Sequence, residues 1–338
     1  MPSTPRTASL LALPLASALL LTSCGSDAAA GGGGSPGGGG TDGSDGARVQ
    51  VAASFYPLQW VTQAIAGDRA DVTSLTAPGV EPHDLELSPQ EVGEAVDADV
   101  LVTLGGFQGA VDAAAEERGD APVVDVAPAA DLEETPGTPA GGPSGDEHEH
   151  EGGASDAEEE HEHGLEEDPH FWLDPVRMSS VAAAVADGLS AADPDGASTY
   201  AAGLAGVQEE LTALDDEYST GLATCASRDL VTSHQAFGYL AERYDLEQRG
   251  VSGIGGEAEP TPARLAEVAD FVRAHDVSTI YTETLLSPAV AETVADETGA
   301  STAVLDTLEG LTDASPGDDY PSVMRADLQT LREGQGCS

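Results

Sequence analysis

Residues 193–222 read DPDGASTYAAGLAGVQEELTALDDEYSTGL. Tyr200, Leu204, Val207, Leu211 and Leu214 recur at helical spacing, and Asp193 followed by Pro194 offers a cap and a first-turn proline. About 28 helical residues at 1.5 Å each make a helix roughly 40 Å long. A helix of that length between two shorter patterned regions acts as a rigid strut, and residues 194–222 are therefore read as a linking helix.

On either side the chain alternates short β-branched runs with alanine-rich helical stretches. Before the helix, strands are expected at 48–54, 72–77, 100–104 and 123–126. After it, they are expected at 230–233, 246–251, 279–282 and 302–305, with helices at 235–244, 262–275, 288–298 and 320–333. Ser88-Pro89-Gln90-Glu91 reads as a capping box with proline in the first turn. Strand–helix alternation of this kind predicts an α/β fold of two lobes, each a small parallel sheet flanked by helices, joined by the one long rigid helix. The N-terminal lobe is expected over 48–193 and the C-terminal lobe over 223–338.

Composition narrows the partners. The 338 residues carry 61 Asp and Glu against 12 basic residues, all arginine, for a formal charge of -49. Nucleic acid and anionic membrane surfaces would be repelled; cations are the natural guests. With aromatic residues at 4%, the cores must be packed mainly by Ala, Val and Leu.

Residues 1–24 read MPSTPRTASLLALPLASALLLTSC, with Arg6 ahead of an apolar run from Leu10 to Leu21. That run is short for a membrane span and suits a signal-peptide core. Its end, Leu21-Thr22-Ser23-Cys24, resembles a bacterial lipobox, which implies a signal peptide over 1–23 and lipidation of Cys24. The glycine-rich stretch 24–47 is expected to be a flexible tether, holding the protein to the outer face of the cell membrane. Cys225 and Cys337 remain, and in an oxidising compartment they are read as a disulfide.

Residues 131–168 lack apolar periodicity and hold His148, His150, His161 and His163 among dense acids. The composition predicts a disordered acidic loop, and its two His-Glu-His triplets supply auxiliary metal ligands without fixed geometry. Three other histidines sit where chemistry is expected. His83 lies in Glu81-Pro82-His83-Asp84 after the second strand, His170 in the run DPHFWLDP, and His234 at the end of DLVTSH. Asp306 closes the strand STAVLD, and Glu283 closes another in the same half. In open parallel sheets, loops at the carboxyl ends of strands line the crevice. Three imidazoles and one carboxylate suit Zn2+ better than Mg2+ or Ca2+. Asp306 is the expected fourth ligand, with Glu283 as the alternative or as a supporting partner. Trp172, Phe237 and Tyr239 are expected to wall the site, Trp60 to pack in the first lobe, and His275 to lie at the surface.

These pieces, with ASFYPLQW, EPHDLELSPQE, DPHFWLDP, TSHQAFGYLAERY and LDTLEGL in order over residues 50–312, resemble the zinc-specific substrate-binding lipoproteins of bacterial ABC transporters. The resemblance implies two lobes with the metal between them, and His83, His170, His234 and Asp306 as ligands. It implies a non-enzymatic, monomeric receptor that passes zinc to a permease and its ATPase. In manganese-type relatives the third position is usually a carboxylate, so His234 favours zinc over Mn2+. A manganese receptor of the same family and a surface adhesin or zinc buffer are the alternatives. A hydrolytic zinc site is opposed by the lack of an HExxH motif and by a carboxylate in the position a reacting water needs. Zinc is expected to be held at neutral pH and released near pH 6 and below.

Overall fold

A computed structural model describes residues 48–134, 167–256 and 259–338. Cys24, the expected signal peptide and tether, and the four histidines of the acidic loop lie outside these residues.

Sheet one contains β1 (Val49–Ala53), β2 (Ala70–Ser74), β3 (Val100–Thr103) and β4 (Val123–Asp125) in the order β2-β1-β3-β4. Sheet two contains β5 (Asp229–Thr232), β6 (Glu247–Gly250), β7 (Thr279–Thr282) and β8 (Ser301–Val304) in the order β6-β5-β7-β8. Every pairing is parallel. The central strands β3 (VLVT) and β7 (TIYT) are buried along their whole length, as parallel strands covered on both faces must be.

Helices α1 (Tyr56–Ala66), α2 (Pro89–Asp97), α3 (Gly109–Glu117), α4 (Ala127–Ala130) and α5 (Pro175–Ala192) belong to the first lobe. The long α6 (Ala197–Gly221) follows, then α7 (Gly238–Arg243), α8 (Pro262–Ala274), α9 (Ala289–Thr298) and α10 (Tyr320–Gly334). The capping box at Ser88 and Glu91 forms as read. The helix expected at 235–244 is shorter, because residues 235–237 are used to turn the chain after His234.

The 25 residues of α6 span about 38 Å. Tyr200, Val207, Leu211 and Leu214 are buried on its inner face. Asp193 does not cap this helix. Its carboxylate instead accepts from Arg69 at 2.7 and 2.8 Å and from the Tyr200 hydroxyl at 2.7 Å, locking the α5–α6 corner to the end of α1. Along α6, Gly203 lies against α1 so closely that an added Cβ would stand 2.2 Å from the Ile65 carbonyl oxygen, whereas nothing lies within 4 Å of a Cβ at Gly206. Gly203→Ala should therefore cost about 2 kcal/mol or more through overpacking and lower Tm by several degrees. Gly206→Ala should be neutral or stabilising through helix propensity. Thermal melts of the pair check the contact.

One apolar core runs through both lobes, from Val51, Phe55 and Trp172 to Tyr218, Leu230, Tyr281 and Tyr320. The Trp172 indole donates to the Thr307 carbonyl at 2.8 Å, and the Tyr320 hydroxyl donates to the Trp172 carbonyl at 2.5 Å. Trp60 is not confined to packing within its own lobe: its ring stacks on Tyr320 of α10 with centroids 4.5 Å apart. A disulfide joins Cys225, just beyond α6, to Cys337, just beyond α10. Opening the lobes would expose this shared core, so the fold favours small local adjustments over hinge motion. Among the described residues no helix is long and apolar enough to cross a membrane.

Candidate metal centre

Each lobe sends two side chains to one point. His83 rides on the loop after β2. His170 is delivered by the run DPHFWLDP, whose two Asp-Pro pairs do different jobs. Asp174 caps α5, accepting from the Val176 and Arg177 amides, and Pro175 begins the helix. Asp168 accepts from the His170 amide at 3.0 Å and from its Nδ1 at 2.7 Å, which turns Nε2 inward. His234 follows β5, and its amide and Nδ1 donate to Glu283 at 3.1 and 2.6 Å.

The fourth group is Glu309. His83, His170, His234 and Glu309 present one ligand atom each, all within 4.8 Å of one another. The Nε2 atoms of His83 and His170 are 3.2 Å apart, and those of His170 and His234 3.4 Å. Glu309 Oε1 stands 3.0 Å from His170 Nε2, 3.3 Å from His83 Nε2 and 3.5 Å from His234 Nε2. Ligand atoms about 2.0–2.1 Å from a tetrahedral zinc ion are about 3.3 Å from each other, and these five separations match that spacing. Asp168 and Glu283 fix the tautomers of two imidazoles, as carboxylates behind metal-binding histidines do.

Asp306, the fourth ligand expected from sequence, does not join the cluster. Its Oδ1 accepts from the Leu308 amide at 2.9 Å and its Oδ2 from the Thr284 hydroxyl at 3.2 Å. Its own amide donates to Asp327 at 3.0 Å. Those bonds fold the chain tightly through Leu308, which takes φ 57° in the left-handed region. The turn carries Glu309 inward, where Thr307 donates its hydroxyl to Oε2 at 3.1 Å and leaves Oε1 facing the histidines. Glu283 likewise is the partner behind His234 and not a member of the cluster.

The site is dry. His170, His234 and Glu309 are buried. Trp172 packs 5.2 Å from His170, and Phe107 meets the His83 ring edge-on at 4.9 Å, with Phe55 behind both. Of the aromatic wall expected from sequence, Trp172 is in place. Tyr239 instead ties together the segments beside the Glu134–Glu167 bridge, donating its hydroxyl to the Asp168 carbonyl at 2.7 Å and accepting from the Glu133 amide at 2.9 Å. Phe237 is buried at the start of α7. His275 lies at the surface beside Asp229 and Phe271, far from this chemistry. Phe55, Phe107 and Asp168 are functional neighbours that sequence reasoning missed; Asp168 was signalled by its place two residues before His170.

Burial and charge oppose each other in this centre. Burial lowers the His83 pKa. Burial also disfavours protonated His170, but Asp168 and Glu309 outweigh it and raise its pKa. For His234, burial is overcome by Glu283 and Glu309, which hold its pKa well above the ordinary histidine value. Burial would raise the Glu309 carboxyl, yet hydrogen bonds from the three histidines hold it well below the usual range. The neighbouring Glu81 is pushed up to about 8 by burial and by the charge of Glu309. Three imidazole lone pairs and a carboxylate this close repel unless a cation sits among them, and the candidates are a proton or a metal ion.

Known proteins share this plan. The family described as zinc-uptake complex component A periplasmic, ZnuA, matches residues 51–334. The chain is 35% identical over 295 residues to the zinc-binding lipoprotein AdcA of Streptococcus pneumoniae, an alignment covering 86% of this chain and 56% of that one. It thus spans about half the length of that relative. It is 34% identical over 320 residues to the high-affinity zinc uptake system protein ZnuA of Bacillus subtilis, covering 93% of both. The solved Zn(II)-bound ZnuA-like domain of Streptococcus pneumoniae AdcA superposes with a TM-score of 0.68 at 33% identity, over 85% of this chain and 99% of that one. With a family match over nearly all of the residues from β1 to α10 and the fold to go with it, the chain belongs to the ZnuA family.

Proposed function

We propose that this protein is an extracytoplasmic receptor that binds Zn2+ through His83, His170, His234 and Glu309 and delivers it to an ABC permease with its ATPase. The observation that carries the reading is the set of five ligand–ligand separations between 3.0 and 3.5 Å, the spacing a tetrahedral zinc ion imposes. Three imidazoles favour zinc over manganese, whose preferred donors are oxygens. The closed coordination also argues for a carrier: the carboxylate occupies the corner where a catalytic zinc would keep its water. In this reading Cys24 carries the lipid that holds a monomeric receptor to the outer face of the membrane, residues 24–47 form the tether, and 48–193 and 223–338 form the two lobes about the linking helix. The Zn(II)-bound AdcA domain supports the choice of metal.

The acidic segment is proposed to collect zinc for the centre. Its described flanks support this: Glu134 and Glu167 form an antiparallel bridge, and Glu167 adjoins Asp168, the residue behind His170. The segment therefore leaves and returns beside the metal centre. The test is a competition titration with Zn2+ and Mn2+ on the full chain and on a variant lacking residues 146–163, with metal content measured by mass spectrometry. One tight zinc site is expected in both, with additional weak sites only in the full chain and slower loading at low zinc in the deletion. A preference for manganese would overturn the choice of metal, and loss of tight binding on deletion would place the segment inside the site.

A further inference from the structure

The centre is unequal at its four corners. His170 and Glu309 have 0% of their side chains exposed and His234 1%, while His83 has 5% and the adjacent Glu81 14%. Exposure thus rises toward the corner formed by Glu81 and His83. Anchoring falls in the same direction. The Nδ1 atoms of His170 and His234 are each held by a carboxylate at 2.7 and 2.6 Å, but His83 Nδ1 is buried with no hydrogen-bond partner. His83 belongs to the fourteen residues 75–88 that join β2 to α2, whereas His234 lies two residues past the end of β5 and His170 is braced by the start of α5.

Glu81 is the second anomaly. Its Oε1 accepts from the His83 amide at 3.2 Å and lies 3.9 Å from His83 Nε2. Its Oε2 is buried without any partner. A buried carboxyl oxygen without a partner costs free energy, and a divalent cation one step outside the tetrahedron would satisfy it. The backbone between the two residues is fixed, because Gln108 Nε2 donates to the Pro82 carbonyl at 3.2 Å. Motion at this corner therefore belongs to the Glu81 and His83 side chains.

We propose that Zn2+ enters and leaves the centre at this corner, with Glu81 as a transient oxygen donor that holds the ion while the His83 ring swings to bind or release it. The inference rests on the proposed function above and deepens it. The ion never crosses the gap without a protein ligand, because Glu81 coordinates as His83 lets go. A donor used only along the path stabilises the barrier and not the end state, so its loss slows both directions together.

The test is rapid mixing of the full chain with Zn2+, followed by a chelator chase of the loaded protein, for wild type, Glu81→Gln and Glu81→Asp. Glu81→Gln should lower the association and dissociation rate constants together, by about tenfold. Glu81→Asp, which keeps the oxygen donor, should recover most of both rates and controls for folding. Faster dissociation alone would make Glu81 a permanent support of the bound state and overturn the proposal, as would unaltered rates in Glu81→Gln. A wild-type chain that takes up no zinc would overturn the proposed function itself; wild-type binding with unchanged variant kinetics would overturn only the route.

Discussion

Glu309→Ala should weaken zinc binding by more than about a hundredfold, while Asp306→Asn should change it by no more than about threefold. Glu309 is fully buried and its Oε1 lies within 3.0–3.5 Å of all three imidazole Nε2 atoms. Removing one charged partner from a buried charge cluster costs about 3–5 kcal/mol, which is two to more than three orders of magnitude in affinity. Asp306 has a different task. Its Oδ1 accepts from the Leu308 amide, and asparagine keeps an acceptor at that position, so the turn that presents Glu309 survives. Competition against a chromophoric chelator of known affinity separates the two. Equal losses in both variants would mean that Asp306 coordinates the metal after all.

Acidification gives the second large effect, and its sign follows from the raised histidines. Zinc needs all three Nε2 atoms free of protons. In the empty site His170 is raised above the ordinary histidine value and His234 well above it, so both carry protons at a pH where free histidine has lost them. Protons therefore compete with zinc from above pH 6.5 downward, at a higher pH than the free-histidine value of about 6.5 would suggest. His83, lowered by burial, adds its competition only at more acid pH. Between pH 7 and 6 the apparent affinity should fall by between about tenfold and a hundredfold, for one or two protons displaced per zinc.

The metal-free protein should respond oppositely through the same two groups. A histidine whose folded pKa is raised contributes stability that is fully present below its unfolded pKa and is lost as pH rises through the folded value. His170 and His234 thus favour the empty fold at pH 6 over pH 8, whereas zinc stabilises the loaded fold more at pH 8. Melting the empty and loaded forms across this range should show the zinc-induced rise in Tm growing with pH. A rise independent of pH would mean that the histidines are unprotonated in the empty centre.

Much of this centre is legible in the sequence. His83, His170 and His234 each follow a local signal, a strand end or an Asp-Pro pair, and strand ends in a parallel sheet converge on one crevice. The carboxylate that joins the three histidines is Glu309, three residues beyond the expected Asp306 within the motif LDTLEGL. Asp306 closes the strand and so satisfies the same rule as the histidines. What displaces it is the left-handed conformation of Leu308, a residue type that carries no signal for positive φ. Similarly, the helical pattern of 193–222 announced α6, but not that Asp193 would be taken by Arg69, which lies 124 positions earlier.

The sequence alone determined the α/β alternation, the long connecting helix and the three imidazoles, because periodicity, capping residues and strand ends are local and their physics acts within a few positions. Only the tertiary structure decided which carboxylate joins the three histidines, the carboxylates behind His170 and His234, the shared core that joins the lobes and the less deeply buried corner at Glu81 and His83. Those depend on groups that meet across lobes or round a tight turn, such as Trp172 with Thr307 and His170 with Glu309. Distance along the chain carries no information about such meetings; packing does.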